Sequence, residues 1–476
     1  MQKGTDFLYL QLANKIEQLI EKGVYTVGDR LPSVRELRQE HGVSISTALQ
    51  VYTELEKKGW IAARERSGYF VRSNPRQRAQ LPAVSAPAAA PVAVKVNEQV
   101  RRIREGRRQK GLVALDAATP AAALMPQRKL HKAMLHAIRR HSASCIPYHD
   151  TGGYEPLQRY IAQRSLSWKG TVTPADVTIT NGCLEAVSLC LRAVARPGDT
   201  IAIESPTFFG LLMTIESLGM KALEIATDPV TGICLDKLEN AFRGKKVAAC
   251  LLVSNYSNPL GSCMPPAHKQ ALAQLLQRYQ VPLVEDDAFG DLHHGHDRPD
   301  NVKTYDREGL VLLCSSFSKC LAPGYRLGWT IAGRYRHKVE QLKFMTSIHT
   351  SLLPQLAIHS YLEHQRLDLH LKQLRHALAL QTQQMANAIQ QHFPAHTRIT
   401  RPEGSFNLWV ELDPRADSWE LYRQAMEQRI AIMPGTLFSS QPRYRNCLRV
   451  SAGLPWNEDM AWAVQTVGRL IKKMQH

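Results

Sequence analysis

Apolar residues recur every three or four positions near the start of the chain. Leu8, Leu12, Ile16, Leu19 and Ile20 mark one face of an amphipathic helix over Leu8 to Lys22. Ser33 and Glu36 form a Ser-x-x-Glu capping box after Pro32, which predicts a short helix from about Val34 to Glu40. His41-Gly42-Val43 is a turn. A third helix runs from about Ser44 or Ser46 to Lys58, with Ala48, Val51, Tyr52 and Leu55 on its apolar face and Gly59 as its stop. Trp60 to Ala63 and Tyr69 to Arg72 flank Arg64-Glu65-Arg66-Ser67-Gly68 and predict a hairpin with a basic tip.

The pattern then breaks. From Asn74 to Lys95 repeated Pro and Ala deny a packed face and a continuous helix, so this stretch is expected to be a linker. The basic run Arg101 to Lys110 follows, and between Asn74 and Gly111 nine basic residues face two acidic ones. It reads as a solvated tether or as a supplementary phosphate-contacting stripe. From about Leu112 onward, strand-like runs at Val177 to Thr180, Thr200 to Ile203, Ala248 to Val253, Pro282 to Val284 and Leu310 to Leu313 alternate with helical patterns. That alternation predicts a mostly parallel sheet covered by helices.

Composition narrows the function classes. A chain of 476 residues implies two or three units, and 44% hydrophobic with 21% charged residues is ordinary globular usage. The formal charge of +18 favours a polyanionic partner, nucleic acid first. No apolar run approaches a membrane span and the first residues, MQKGTDFLYL, lack a signal-peptide pattern, so a cytoplasmic protein is expected. Nine scattered cysteines without a CxxC pair argue against a disulfide framework or a zinc ribbon, and no metal site is expected.

Two stretches carry chemistry. On the polar face of the third helix, Ser46, Thr47 and Gln50 are small donors and acceptors suited to phosphates or base edges. In the second half, Ser316-Phe317-Ser318-Lys319 is followed by Pro323-Gly324 and Arg326. A lysine after two hydroxyls, with an arginine seven residues on, suits an aldehyde-bearing phosphate cofactor: the amine condenses with the aldehyde, while hydroxyls and guanidinium hold the phosphate. Gly182-Cys183-Leu184 joins a strand to a helix whose first N–H groups can face that phosphate. Asn258 follows a strand and can donate to a phenolate oxygen, and Asp286 ends another strand, where a carboxylate can keep a pyridine nitrogen protonated.

The segments LPSVREL, GVSISTALQVYTELEKKGWI and RSGYFV, in that order, resemble the winged helix-turn-helix of the GntR regulators over about residues 8 to 72. The resemblance implies double-stranded operator DNA as partner, with contacts from Arg35, Ser44, Ser46, Thr47, Arg66 and Gly68. The family often places arginine where this chain has Ile45 and again near Leu49. An isoleucine cannot pair with guanine but can meet a thymine methyl, so a different operator is expected.

The second half resembles the fold-type I pyridoxal-phosphate aminotransferases of class I/II over about residues 112 to 476. The resemblance implies that Lys319 bonds pyridoxal 5'-phosphate and Asp286 partners its pyridinium. Asn258 would meet its hydroxyl, and Ser316, Ser318, Arg326, Gly182, Cys183 and Leu184 its phosphate. It further implies that Phe208 stacks on the ring, that Tyr148 is contributed by a neighbouring subunit, and that Arg449 clamps a substrate or effector carboxylate. Phe289 stands where many relatives have a tyrosine that meets the ring oxygen, so cofactor attachment is expected to survive and turnover to be weak.

The whole resembles the MocR subfamily of GntR regulators. Residues 1–73 are expected to form a winged helix-turn-helix head of helices and a β-wing, 74–111 a linker, and 112–476 an α/β aminotransferase-like body. The expected function is a homodimeric transcription regulator that senses an amino compound or the cofactor. The alternatives are a metabolic aminotransferase with an accessory DNA-binding head and a body that only dimerises.

Overall fold

The computed structural model describes residues 8–26, 28–64, 68–71, 80–295 and 297–474. The head follows its sequence pattern closely. Helices α1 (Leu8–Glu21), α2 (Val34–His41) and α3 (Ile45–Lys57) precede an antiparallel hairpin, β1 (Ile61–Arg64) and β2 (Gly68–Val71), that pairs Ile61 with Val71. The capping box forms: Glu36 N–H donates to Ser33 Oγ at 3.2 Å and Ser33 N–H to the Glu36 carboxylate at 2.5 Å. Gly42 ends α2 at φ 62°, where a side chain would be strained. Leu12, Ile16, Ile20, Leu37, Ala48, Val51, Tyr52, Leu55 and Trp60 close one small core. Arg66 lies outside the described residues.

The segment expected to be a linker behaves differently from Gln80 onward. Ser85 N–H donates to Thr227 O, and β3 (Val92–Ala93) joins the edge of the large sheet, pairing Val92 with Ala222. Helix α4 (Asn97–Gly106) then inserts Val100 and Ile103 into the principal core. Prolines exclude a helix over 80–91 but not an extended strand at a sheet edge. The basic run also concealed an apolar stripe, Val96, Val100 and Ile103, at spacings of four and three. Nor are its arginines all free for phosphate, because Arg101 pairs with Glu98 and Glu105, and Arg107 with Asp116.

The body is built on a nine-stranded sheet. Its order is Val92–Ala93, Lys221–Asp228, Thr200–Ser205, Ala249–Leu252, Leu283–Asp286, Val311–Ser316, Gly328–Ile331 and Val177–Thr180, with Gly232–Ile233 paired to the side of Lys221–Asp228. The pairs from Lys221–Asp228 through Val311–Ser316 are parallel, and Gly328–Ile331 runs against both of its neighbours. Ala249–Leu252 and the first four residues of Val311–Ser316 are buried on both faces and read as continuous apolar runs, while Val177–Thr180, equally buried, alternates Val and Ile with Thr. A smaller antiparallel sheet of four strands carries Asn407–Glu411 beside Cys447–Ser451. Among the described residues no helix is long and apolar enough to cross a membrane.

Candidate cofactor and carboxylate site

Parallel sheets gather functional groups at the carboxyl ends of their strands, where loops leave toward helices. Asp286 is the last residue of Leu283–Asp286, and its Oδ1 accepts from the Cys183 thiol at 3.2 Å and from Ala288 N–H at 3.0 Å. Burial pushes its pKa up to about 6. Lys319 follows the strand Val311–Ser316, and its Nζ donates to Ala118 O at 2.6 Å. Burial, and then the nearby Arg449 charge, lower its pKa to about 8. Nζ also stands 5.6 Å from the Phe289 ring centroid.

Arg449, on the strand Cys447–Ser451, is 1% exposed. Its Nη1 donates to Asn258 Oδ1 at 3.2 Å and its Nη2 to Asp116 O at 2.7 Å, while Nε has no partner among the described residues. Burial lowers its pKa to about 10. Arg449 and Asn258 thus meet although far apart in the chain, and the Arg449 charge is felt at Lys319.

Gly182, at φ 89° and ψ 171°, precedes the helix Cys183–Val194. Arg326 spans the cradle there: its Nη1 lies 3.4 Å from Ser318 Oγ and its Nη2 3.2 Å from Asn181 O. Ser316 and Ser318 are both buried, and Ser316 Oγ accepts weakly from Ser318 N–H at 3.4 Å. A Cβ on Gly182 would sit 2.3 Å from the Arg326 guanidinium, so the glycine keeps open a recess lined by helix N–H groups, hydroxyls and a cation. That donor set fits a phosphate.

The Cys183 side chain faces Asp286 rather than the recess, so only its backbone N–H remains for a phosphate. Leu184, 42% exposed, likewise has only its backbone to offer. Phe208 stands at the head of the helix Phe209–Ser217, past the carboxyl end of Thr200–Ser205. Tyr148 is 79% exposed and its ring meets His349 edge-on. Sequence reasoning missed Asp116 and Ala118, because no motif marks a backbone carbonyl as a partner. It also passed over Glu204, whose pKa burial pushes up to about 8 and whose Oε2 accepts from Val253 N–H at 2.9 Å.

In the head, Arg35, Ser44, Ile45, Ser46, Leu49 and Gln50 are exposed, while Thr47 is half-buried. Gly68 holds φ 97° at the start of β2. Ile45 and Leu49, 49% and 44% exposed, are apolar groups on the outer face of α3, as a thymine-methyl reader requires. Ser44 also caps α3, its Oγ accepting from Thr47 N–H at 3.0 Å. Ser44→Ala is expected to cost about 1 kcal/mol of head stability. Ser44→Asp is expected to keep the cap and the melting temperature and, if α3 is the recognition helix the family resemblance implies, to lower operator affinity at least tenfold in a titration at one salt concentration.

Comparisons with known proteins find two families in the chain. Residues 8–71 match the family of bacterial regulatory proteins, gntR family, and residues 121–465 match aminotransferase class I and II. The HTH-type transcriptional regulators YjiR and YdcR of Escherichia coli are each 36% identical to this chain. The YjiR match covers 97% of this chain and 98% of that one, and the YdcR match 98% and 99%. The body is similar to LysN, the α-aminoadipate aminotransferase of Thermus thermophilus, whose crystal structure holds N-(5'-phosphopyridoxyl)-L-leucine. That likeness has a TM-score of 0.73 at 27% identity and covers 79% of this chain and 95% of the other. A GntR head and an aminotransferase body in one chain, shared along nearly its whole length with such regulators, place this protein in the MocR subfamily of the GntR family.

Proposed function

We propose that this protein is a DNA-binding transcription regulator whose body binds pyridoxal 5'-phosphate and senses an amino compound or the cofactor itself. The observation that carries the reading is the convergence of Lys319, Asp286, Asn258, Arg326 and Arg449 in the body of a chain whose head exposes a helix-turn-helix face. When bound, the cofactor supplies an aldehyde that condenses with amines and a ring that withdraws electrons. Arg326, the two serine hydroxyls and the helix N–H groups after Gly182 would hold its phosphate. Asp286 would keep a proton on the pyridine nitrogen, Asn258 would donate to the ring oxygen, and Phe208 would stack on the ring. Lys319 supplies the amine, close to half neutral near pH 8. Arg449 supplies a guanidinium for a carboxylate.

Tyr148 and Ile146 are 79% and 85% exposed, and a second copy of the chain covering this surface would bring Tyr148 to the partner's site. The active species is a homodimer presenting two heads to paired half-sites. Ligand binding alters DNA affinity only through a difference between the body states that each ligand favours.

A metabolic aminotransferase is the second reading, supported by Lys319, Asp286, Asn258 and Arg326 on the body. Phe289 weighs against fast turnover, because its ring has no hydroxyl to donate. One preparation tests both. Selection from genomic fragments is expected to recover a discrete operator, and cofactor titration to alter its affinity, with transamination of mixed amino acids and 2-oxo acids slow. Fast transamination without sequence-selective binding would establish the enzyme instead.

A further inference from the structure

The substrate side of the site holds a charge arrangement that the reading above does not use. Residues 115–118 run beside the strand Cys447–Ser451: Leu115 O accepts from Ser451 N–H and Ala117 O from Ser451 Oγ. The neighbouring carbonyls of Asp116 and Ala118 accept from Arg449 and Lys319. The Asp116 side chain is set into the core with 0% exposure, its carboxylate within electrostatic reach of the Arg449 guanidinium, which itself holds the Asp116 backbone carbonyl. Its Oδ1 accepts from Arg107 Nη2 at 2.8 Å, while Oδ2 has no partner among the described residues. Burial raises the Asp116 pKa, and Arg107 and Arg449 oppose that rise.

A carboxylate built beside a carboxylate-binding arginine presents a conflict. Asp116 and Arg449 alone sum to zero charge, and the free Oδ2 could close on the free Nε, quenching the clamp from within. Arg107 adds the second cation. Its backbone is held at the end of α4, where its N–H donates to Ile103 O. Its side chain, 40% exposed, reaches in from the rim. With Asp116 ionised in its pair with Arg107, the trio of Arg107, Asp116 and Arg449 carries one net positive charge, matched to one incoming carboxylate.

We propose that Arg107 is a positioning residue: by engaging Asp116 it keeps the Arg449 guanidinium open for the carboxylate of an amino-acid ligand. This rests on the reading of the body as a pyridoxal-phosphate site with Arg449 as the clamp. It gives one member of the basic run a function in ligand choice rather than in DNA binding.

The test compares two probes on the full chain freed of cofactor, N-(5'-phosphopyridoxyl)-L-alanine and N-(5'-phosphopyridoxyl)ethylamine, which differ only in the carboxylate. Calorimetry is expected to show wild type preferring the first at least tenfold. Arg107→Ala is expected to bring the preference near parity, and Arg107→Lys to retain most of it. Arg107→Ala combined with Asp116→Asn is expected to return it to within about threefold of wild type, because the internal competitor has lost its charge. A purely structural role for Arg107 would weaken both probes equally and would not be rescued. An unchanged preference in Arg107→Ala, no rescue in the double variant, or no preference in wild type overturns the proposal. Failure of wild type to bind either probe is a distinct result: it removes the cofactor reading and the proposal with it.

Discussion

Lys319→Ala protein incubated with pyridoxal 5'-phosphate and then borohydride is expected to carry no adduct at position 319, whereas wild type is labelled there in near-stoichiometric yield. The contrast follows from where the amine sits. Buried next to Arg449, its ammonium form is disfavoured, and the pKa falls to about 8. A lowered lysine pKa leaves more neutral amine at a given pH, so wild-type adduct formation should rise as pH increases through about 8 and level off above. Burial lowers the Lys343 pKa to about 8 as well, so position rather than basicity separates the two: Lys343 faces the carboxylates of Glu185, Asp150 and Glu340, whereas Lys319 lies near Arg326 and Asp286, and Lys269 is held by Asn255 and Asp300 O. Mass spectrometry of peptides locates the label. Cofactor affinity in the variant should fall at least a hundredfold, and operator affinity should lose its dependence on the cofactor while DNA binding by the head persists. A label of equal yield on another lysine, or cofactor-dependent operator binding in the variant, would remove the assignment.

Gly182→Ala is expected to have the second largest effect, on affinity rather than on covalent attachment. At φ 89° and ψ 171° the residue lies in a region open essentially to glycine alone, at a cost of roughly 1–3 kcal/mol for any other. The added methyl would also stand 2.3 Å from Arg326 Nη2, so either the guanidinium leaves the recess or the helix start shifts. Both outcomes separate phosphate donors that must converge. Since each 1.4 kcal/mol is tenfold, losing one charge-assisted contact together with the strain lowers cofactor affinity by about two orders of magnitude. Gly324→Ala is the matched control from the same phosphate motif: a Cβ there meets nothing within 4 Å. Absorbance titration should find that variant unchanged. Equal affinities of the Gly182 and Gly324 variants would show that the recess does not hold the phosphate.

The elements that proved legible share a physical basis. The runs Ala248 to Val253 and Leu310 to Leu313 were visible because a strand covered on both faces favours an unbroken apolar run, and they coincide with Ala249–Leu252 and most of Val311–Ser316. The head helices were visible because a 3.6-residue repeat and a capping box are local requirements. Ser318, Lys319 and Arg326 were legible together because one turn of chain carries all three. Residues 80–111 were misjudged by composition. Proline content argues against a helix without arguing against an edge strand, and counting arginines obscures an apolar stripe beneath them.

The amino-acid order alone therefore indicated the regulator head and the aminotransferase-like body, the head helices and the central strands, and which side chains have the chemistry expected to meet an aldehyde, a phosphate and a carboxylate. These depend on spacing and on side-chain chemistry over a few residues. Only the tertiary structure decided that Cys183 turns to Asp286, that Arg449 donates to the Asp116 carbonyl and that the Asp116 carboxylate accepts from Arg107. Those contacts join residues up to 333 positions apart. They exist because burying both sheets and α4 in one core brings polar groups into a low-dielectric interior, where each must find a partner. Which partner it finds is set by packing, which no local pattern encodes.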